Sequence, residues 1–260
     1  MSIRKEKSKI ISQEQIASGI YSMWLENAFI AQEACAGQFV SVYCPDSAHL
    51  LPRPISICEI DREGGRIRLV YRVTGYGTAA FSAMTAGEEL AVMGPLGNGY
   101  IQAAEQCGPD SHTILIAGGI GVPPMLQLAK DLPGEKTIVL GYRDELFLNE
   151  DFAVYGRVVI ATEDGSFGVP GNVLDAIRQE SITGDMICSC GPTPMLRAVK
   201  AFAQENGIHA WISLEERMAC GVGACLGCVC KSTETDAHSH VNNKRVCKDG
   251  PVFEASEVEL

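Results

Sequence analysis

Residues 112–132 read HTILIAGGIGVPPMLQLAKDL. An apolar run ends in Gly118, Gly119 and Gly121. Two prolines, Pro123 and Pro124, then stand where a first helical turn tolerates them, ahead of a helical stretch. This is a buried strand running through a glycine-rich turn into a helix. Outward from it the pattern repeats: KTIVLGYR (136–143) and RVVIATEDG (157–165) follow, then DMICSCGPTPMLRAVKAFAQENG (185–207). Apolar strands alternating with helices specify βαβ units and a parallel sheet, here over 105–210. In the first turn a backbone bare of side chains could approach a pyrophosphate at the helix N-terminus. It is not G-x-G-x-x-G, and such turns also serve packing alone. A second turn strengthens the nucleotide reading: Cys190, Gly191 and Pro192 again end a strand and open a helix, so two turns of one sheet could face one crevice.

Before residue 105 the period changes to that of short strands. GQFVSVYC (37–44) and RPISICEI (53–60) are separated by turn formers. RIRLVYRV (66–73) alternates, with Ile67, Leu69, Tyr71 and Val73 on one face and Arg66, Arg68, Val70 and Arg72 on the other. Residues 1–104 are therefore expected to form a small antiparallel β-barrel. Arg53, beside Pro54 and Ile55 and followed by Ser56, offers a forked donor suited to phosphate, although an edge strand with a proline reads the same way. YRVTGYGTAAFSAM (71–84) places Gly75, Gly77 and Thr78 ahead of a helix, where free N–H groups could hold an anion.

The chain has 260 residues, enough for two domains and an appendage, and a net charge of −11. That charge argues against a nucleic-acid partner. No run of eighteen apolar residues exists and the N-terminus lacks a signal-like apolar segment, so the expectation is no membrane span and a cytoplasmic protein. In a reducing compartment the 11 cysteines would persist as thiols, which favours metal ligation.

The last fifty residues, 211–260, carry five of those cysteines. CGVGACLGCVC (220–230) sets Cys220, Cys225 and Cys228 in the spacing C-x4-C-x2-C, and Cys247 follows in RVCKDGPVF (245–253). That spacing is the plant-type ligand pattern of a 2Fe-2S cluster, and the interspersed glycines let N–H groups turn toward sulfur. A four-cysteine zinc site usually shows a C-x2-C knuckle on both sides, and here the second half offers one cysteine. Cys230 breaks the spacing and is read as a bystander; the remaining cysteines are scattered and read as small buried hydrophobes. STETDAHSH (232–240) is a polar loop.

The order of these parts resembles the ferredoxin reductase superfamily. An R-P-x-S strand, a Y-R strand, a G-x-G-T helix start, GPLGNG (94–99), GGIGVPP, CGPTPM and the cysteine segment follow one another over nearly the whole chain. They look most like the electron-transfer subunits of type B dihydroorotate dehydrogenase. The resemblance implies FAD in the barrel, NAD in the α/β part and a 2Fe-2S cluster at the C-terminal end. It implies flavin contacts from Arg53, Pro54, Ile55 and Ser56, from Val70, Tyr71 and Arg72, and from Gly77 and Thr78. It makes Cys220, Cys225, Cys228 and Cys247 the cluster ligands. It also implies an FMN-containing catalytic partner in a heterotetramer of two copies each, and a place in pyrimidine biosynthesis. The subunit would act as an electron wire with a hydride outlet, and no residue of this chain is expected to act as an acid or base.

Two departures from the wider superfamily are visible. Ile55 stands where an aromatic is common, and the chain ends in FEASEVEL rather than in an aromatic covering a flavin. Arg143 and Asp144 point in opposite directions for NADP and NAD. Two other readings remain open on the sequence: an FAD/iron-sulfur subunit of a different redox complex, such as a ferredoxin-dependent transhydrogenase or a hydrogenase, and a nucleotide-binding regulatory protein stabilised by zinc.

Overall fold

In the computed structural model, which describes residues 2–46, 48–235 and 240–260, six strands close into a barrel. They are β1 (Arg4–Ala17), β2 (Ile20–Glu26), β3 (Phe39–Val42), β4 (Arg53–Asp61), β5 (Arg66–Arg72) and β6 (Glu89–Leu96), in the order β1-β2-β5-β4-β3-β6. The alternation in β5 is realised. Ile67, Leu69 and Tyr71 enter the barrel core with Ile10, Leu25 and Val42, while Arg66 and Arg72 face solvent. β1 is a strand whose sequence, RKEKSKIISQEQIA, hides it. Its pattern is mostly polar because much of it faces water, and register shifts between Ile10 and Ser12 and between Gln15 and Ala17 let it bend around the barrel. Two short helices, α1 (Ala28–Glu33) and α2 (Tyr76–Ser82), lie on the barrel. α2 starts at Tyr76, earlier than the expectation that placed Gly77 and Thr78 ahead of it: Gly75 is its cap, and Gly77 and Thr78 are in its first turn.

After α3 (Ile101–Glu105) comes a mainly parallel sheet. Its strands are β7 (His112–Gly118), β8 (Glu135–Tyr142), β9 (Arg157–Thr162), β10 (Val169–Pro170), β11 (Met186–Cys190) and β12 (His209–Ser213). Helices α4 (Val122–Asp131), α5 (Asn149–Phe152), α6 (Val173–Gln179) and α7 (Thr193–Asn206) connect or cover them. The strand order β10-β9-β8-β7-β11-β12 runs one way from β7 to β10 and the other way from β11, so the chain reverses direction across the sheet between β7 and β11. That is the switch point at which open α/β sheets bind ligands.

The cysteine segment is tied to this sheet. A hairpin of β13 (Val229–Lys231) and β14 (Asn243–Arg245) is followed by β15 (Val252–Glu254), which pairs antiparallel with β12 at the sheet edge. Phe253 of β15 is buried with Phe39 and Leu96 of the barrel and with Cys228 and Cys247, so one apolar cluster joins all three parts. Of the polar loop 232–240, residues 236–239 lie outside the described residues. Among the described residues no helix is long and apolar enough to cross a membrane.

Candidate redox centre

The hairpin explains how a distant fourth cysteine reaches the loop. Val229 pairs with Arg245, so Cys228 just before β13 and Cys247 just after β14 come together. The Cys247 N–H donates to Cys228 Sγ at 3.4 Å and the Gly223 N–H to Cys247 Sγ at 3.1 Å. Cys220 Sγ accepts from the N–H groups of Val222, Ala224 and Cys225 at 3.3–3.4 Å, and Gly227 donates to Cys225 Sγ at 3.4 Å. Each of the four sulfurs thus accepts a backbone N–H, which favours thiolate. The fold of the loop requires residues that tolerate left-handed backbone: Gly221 at φ +69° and Gly223 at φ +82°, with Leu226 at φ +58° between the second and third cysteines. Arg245 holds the loop from outside, donating to the Gly223 carbonyl and forming a two-pronged pair with Asp249.

The electrostatics of the donor set suit a cationic core. Burial by itself would raise the Cys220 thiol, but the N–H groups of Val222, Cys225 and Ala224 and the Cys225 thiol outweigh it and bring the pKa to about 6. Cys247 is driven the other way, up to about 12, by burial first and by the neighbouring Cys228. Four thiolates so close together repel, and a metal core offsets that repulsion. The hydrogen bonds sort the sulfurs into two pairs, Cys220 with Cys225 and Cys228 with Cys247. A paired arrangement is one that a two-iron core can use, two sulfurs to each iron. Cys230 lies in β13 opposite Lys244, and burial pushes its thiol up.

The cluster loop lies directly on the barrel. A Cβ on Gly221 would stand 2.9 Å from Ser41 Oγ and 3.2 Å from Leu96 Cδ1, so the loop touches β3 and β6. Ser41 is the register partner of Pro54, and Phe39 of Ser56. One strand therefore separates the thiol loop from the R-P-I-S stretch.

Arg53, Pro54, Ile55 and Ser56 are all half-buried, forming a partly open wall of β4. The Arg53 side chain lies over the first turn of α2, where a Cβ on Gly77 would meet Arg53 Nε at 2.6 Å. A guanidinium and the free N–H groups of a helix start thus stand side by side, an arrangement suited to a diphosphate. The other residues of the expected flavin set have the following surroundings within the protein. Thr78 Oγ1 donates to the Gly75 carbonyl and accepts from the Thr74 and Gly75 N–H groups, so its hydroxyl caps the helix. The Tyr71 hydroxyl donates to Gln13 Oε1 inside the barrel, and Val70 is buried against the α/β part. Arg72 keeps its side chain in solvent.

The two turns at the switch point interlock. A Cβ on Gly121 would collide with the Cys190 carbonyl, and Met195 of α7 fills the space beside Gly118 and Gly191. Gly121, Gly118 and Gly191 are therefore explained by close approach, while Gly119, at φ +52° with nothing within 4 Å, faces open space. Pro192 caps α7 and is exposed. Burial pushes the Cys190 thiol up to about 12, so it stays protonated. Met195, Gln13 and Ser41 carry no sequence signal of their own; the M of CGPTPM was the one hint.

Comparison with known proteins agrees with this geometry. A family model described as the iron-sulfur cluster binding domain of dihydroorotate dehydrogenase B matches residues 215–259. The electron transfer subunit of dihydroorotate dehydrogenase B (NAD(+)) from Streptococcus pneumoniae is 42% identical over 263 residues, covering 99% of this chain and 100% of its own. The corresponding subunit from Geobacillus kaustophilus is 42% identical over 264 residues at the same coverage. Among solved structures, a chain of an NADH-dependent reduced ferredoxin-NADP oxidoreductase superposes with a TM-score of 0.86 at 27% identity, covering 97% of this chain and 89% of that one. A ferredoxin NADP+ reductase from Neisseria gonorrhoeae shares the fold at a TM-score of 0.65 and 14% identity, covering 79% of this chain and 92% of that one.

Proposed function

The chain belongs to the family of electron-transfer subunits of dihydroorotate dehydrogenase B, and from that premise we propose that it carries electrons from a dihydroorotate-oxidising partner subunit to NAD. The observation that carries this reading is the seating of the four-thiol loop on β3, one strand away from Arg53–Ser56. When bound, the cluster passes single electrons and the flavin combines them into the pairs that leave as hydride to NAD.

The protein's own part is to bind, orient and shield. Cys220, Cys225, Cys228 and Cys247 hold the cluster, with the backbone N–H groups at their sulfurs setting its potential. Arg53 and the α2 start at Gly77 hold the flavin diphosphate, while Pro54, Ile55 and Ser56 form the strand beside the ring. Val70 and Tyr71 act through the backbone of β5, since their side chains are buried, and Thr78 acts by capping α2. The turns at Gly118–Gly121 and Cys190–Pro192 border the crevice for NAD. No general acid or base is called for, in keeping with a subunit that moves electrons and hydride.

The partner is an FMN-containing catalytic subunit, two copies of each chain form the assembly, and the complex works in the cytoplasm in pyrimidine biosynthesis. Identity of 42% across whole chains favours this reading over membership of a transhydrogenase, whose structural relative stands at 27%. The C-x4-C-x2-C spacing with a single later cysteine, and the iron-sulfur cluster binding family model over residues 215–259, favour it over a zinc-stabilised regulator. The test is the purified chain itself: iron, labile sulfide and FAD should each be present, with visible flavin and iron-sulfur absorbance. A colourless, zinc-containing protein would refute the proposal.

A further inference from the structure

The contact between barrel and α/β sheet runs through one helix face. α4 begins at the nucleotide turn, with Val122, Pro123 and Pro124 buried behind Gly121, and its residues Gln127 and Lys130 meet β4. β4 is the strand that opens with Arg53–Ser56. Beyond Ser56 its edge outruns β3, because the last pair of that ladder is Phe39 with Ser56. The Ile57 N–H there is taken by the Gln38 carbonyl. The Ile60 N–H is taken by a side chain from the other domain: it donates to Gln127 Oε1 at 2.7 Å.

Gln127 is fully buried and both of its ends are used, since its Nε2 donates to Asp131 Oδ1 at 2.7 Å. The neighbouring charges continue the tie. Glu59 faces Lys130 of α4 and Arg68 of β5, each at 3.6 Å, and Arg68 reaches Asp151 of α5, also at 3.6 Å. The Arg68 side chain is 11% exposed and also donates to Ser22 Oγ. The strand proposed to hold the flavin and the helix proposed to border the nucleotide are therefore joined directly, by one hydrogen bond and one ion pair, with Arg68 extending the tie from Glu59 to α5.

We propose that Gln127 is a positioning residue for hydride transfer: by clamping the Ile60 backbone of β4 to α4 it fixes the distance and angle between flavin and nicotinamide. This rests on the functional reading above. The step it serves moves a hydride, with its electron pair, from nicotinamide C4 of NADH to the flavin, which takes one further proton from solvent; in the opposite direction the same pair leaves to NAD. A reacting pair held by two domains is sensitive to their relative placement, and an ångström of misplacement costs on the order of a hundred-fold in rate. Gln127 is buried and both ends of its side chain are bonded within the protein, so its loss should spare binding and slow transfer.

The experiment uses the full chain loaded with FAD and the variants Gln127→Leu and Gln127→Glu. A protonated glutamic acid in place of the glutamine keeps an acceptor for the Ile60 N–H and a donor for Asp131, so it restores what leucine removes. For Gln127→Leu, FAD content and NADH affinity should stay within about two-fold. Flavin reduction by NADH in stopped flow should slow about ten-fold or more. The long-wavelength nicotinamide–flavin charge-transfer absorbance should weaken, and hydrogen exchange of the peptide containing Ile60 should rise. Gln127→Glu should recover most of the rate and the absorbance. If Gln127→Leu does not fold, Lys130→Met, at a side chain 41% exposed, takes its place with a smaller slowing in the same direction. Unchanged rate and charge-transfer absorbance in an FAD-replete variant would overturn the inference alone, as would equal losses in leucine and glutamate variants. A wild-type chain that holds no FAD would overturn the functional reading and this inference with it.

Discussion

Gly223→Ala is the substitution that most sharply probes the cluster loop. The residue sits at φ +82°, where an L side chain costs about 1–2 kcal/mol. The new Cβ would stand 2.7 Å from Lys248 Cδ and 2.9 Å from Lys248 Cβ. The second of those atoms is anchored to the backbone, so the lysine cannot swing clear, and the overlap adds about 1–3 kcal/mol. The total, about 2–5 kcal/mol, falls on the peptide whose N–H donates to Cys247 Sγ. Even the lower figure corresponds to about 30-fold in the loop's closed-to-open ratio. Gly19→Ala is the control: its φ of +67° carries the same backbone strain, but nothing lies within 4 Å. The assay is iron and labile sulfide per chain after a fixed exposure to chelator under argon. Gly223→Ala should lose cluster at least about ten-fold faster than Gly19→Ala, with FAD retained in both. Equal cluster lifetimes in the two variants would refute the geometric reasoning.

Cys247→Ser should lose iron and sulfide, while Cys230→Ser should keep both, measured by metal analysis and visible absorbance. Arg53→Ala should weaken FAD binding about 10- to 100-fold, the loss of charge-assisted phosphate bonds at about 1.5–3 kcal/mol, read by flavin fluorescence on titration. Its fold should survive, since the bond that Arg53 makes within the protein is to the Leu51 carbonyl. Gly121→Ala drives a Cβ into the Cys190 carbonyl and pries the two turns apart. NADH affinity should fall while FAD and iron content hold, and unaltered NADH binding would count against the switch-point crevice.

How much of this was legible in the sequence depends on range. The period of β5 and the glycine-rich ends of β7 and β11 are local patterns, and each led to the element now seen; the spacing of Cys220, Cys225 and Cys228 is equally local. β1 was not legible, because a bent, mostly solvent-facing strand of RKEKSKIISQEQIA carries almost no apolar alternation. Other features depend on neighbours remote in sequence. The packing of Gly121 against Cys190, the contact of Gly221 with Ser41 and the bond from Ile60 to Gln127 join segments some 67 to 180 residues apart. The same limit applied to Tyr71: its local motif could not show that its hydroxyl donates to Gln13 of β1. The pairing of β15 with β12 was likewise invisible, since a three-residue strand has no period to read.

The central claim is that this chain is the outlet through which electrons from dihydroorotate reach NAD. The most direct measurement is anaerobic NAD reduction by dihydroorotate, followed at 340 nm, with this chain, its catalytic partner subunit and the two combined. The account predicts NADH formation from the combination and none from this chain alone, with Cys247→Ser abolishing it. A combination in which this chain carries its cluster and FAD, and the partner oxidises dihydroorotate, yet no NADH forms, would contradict the claim.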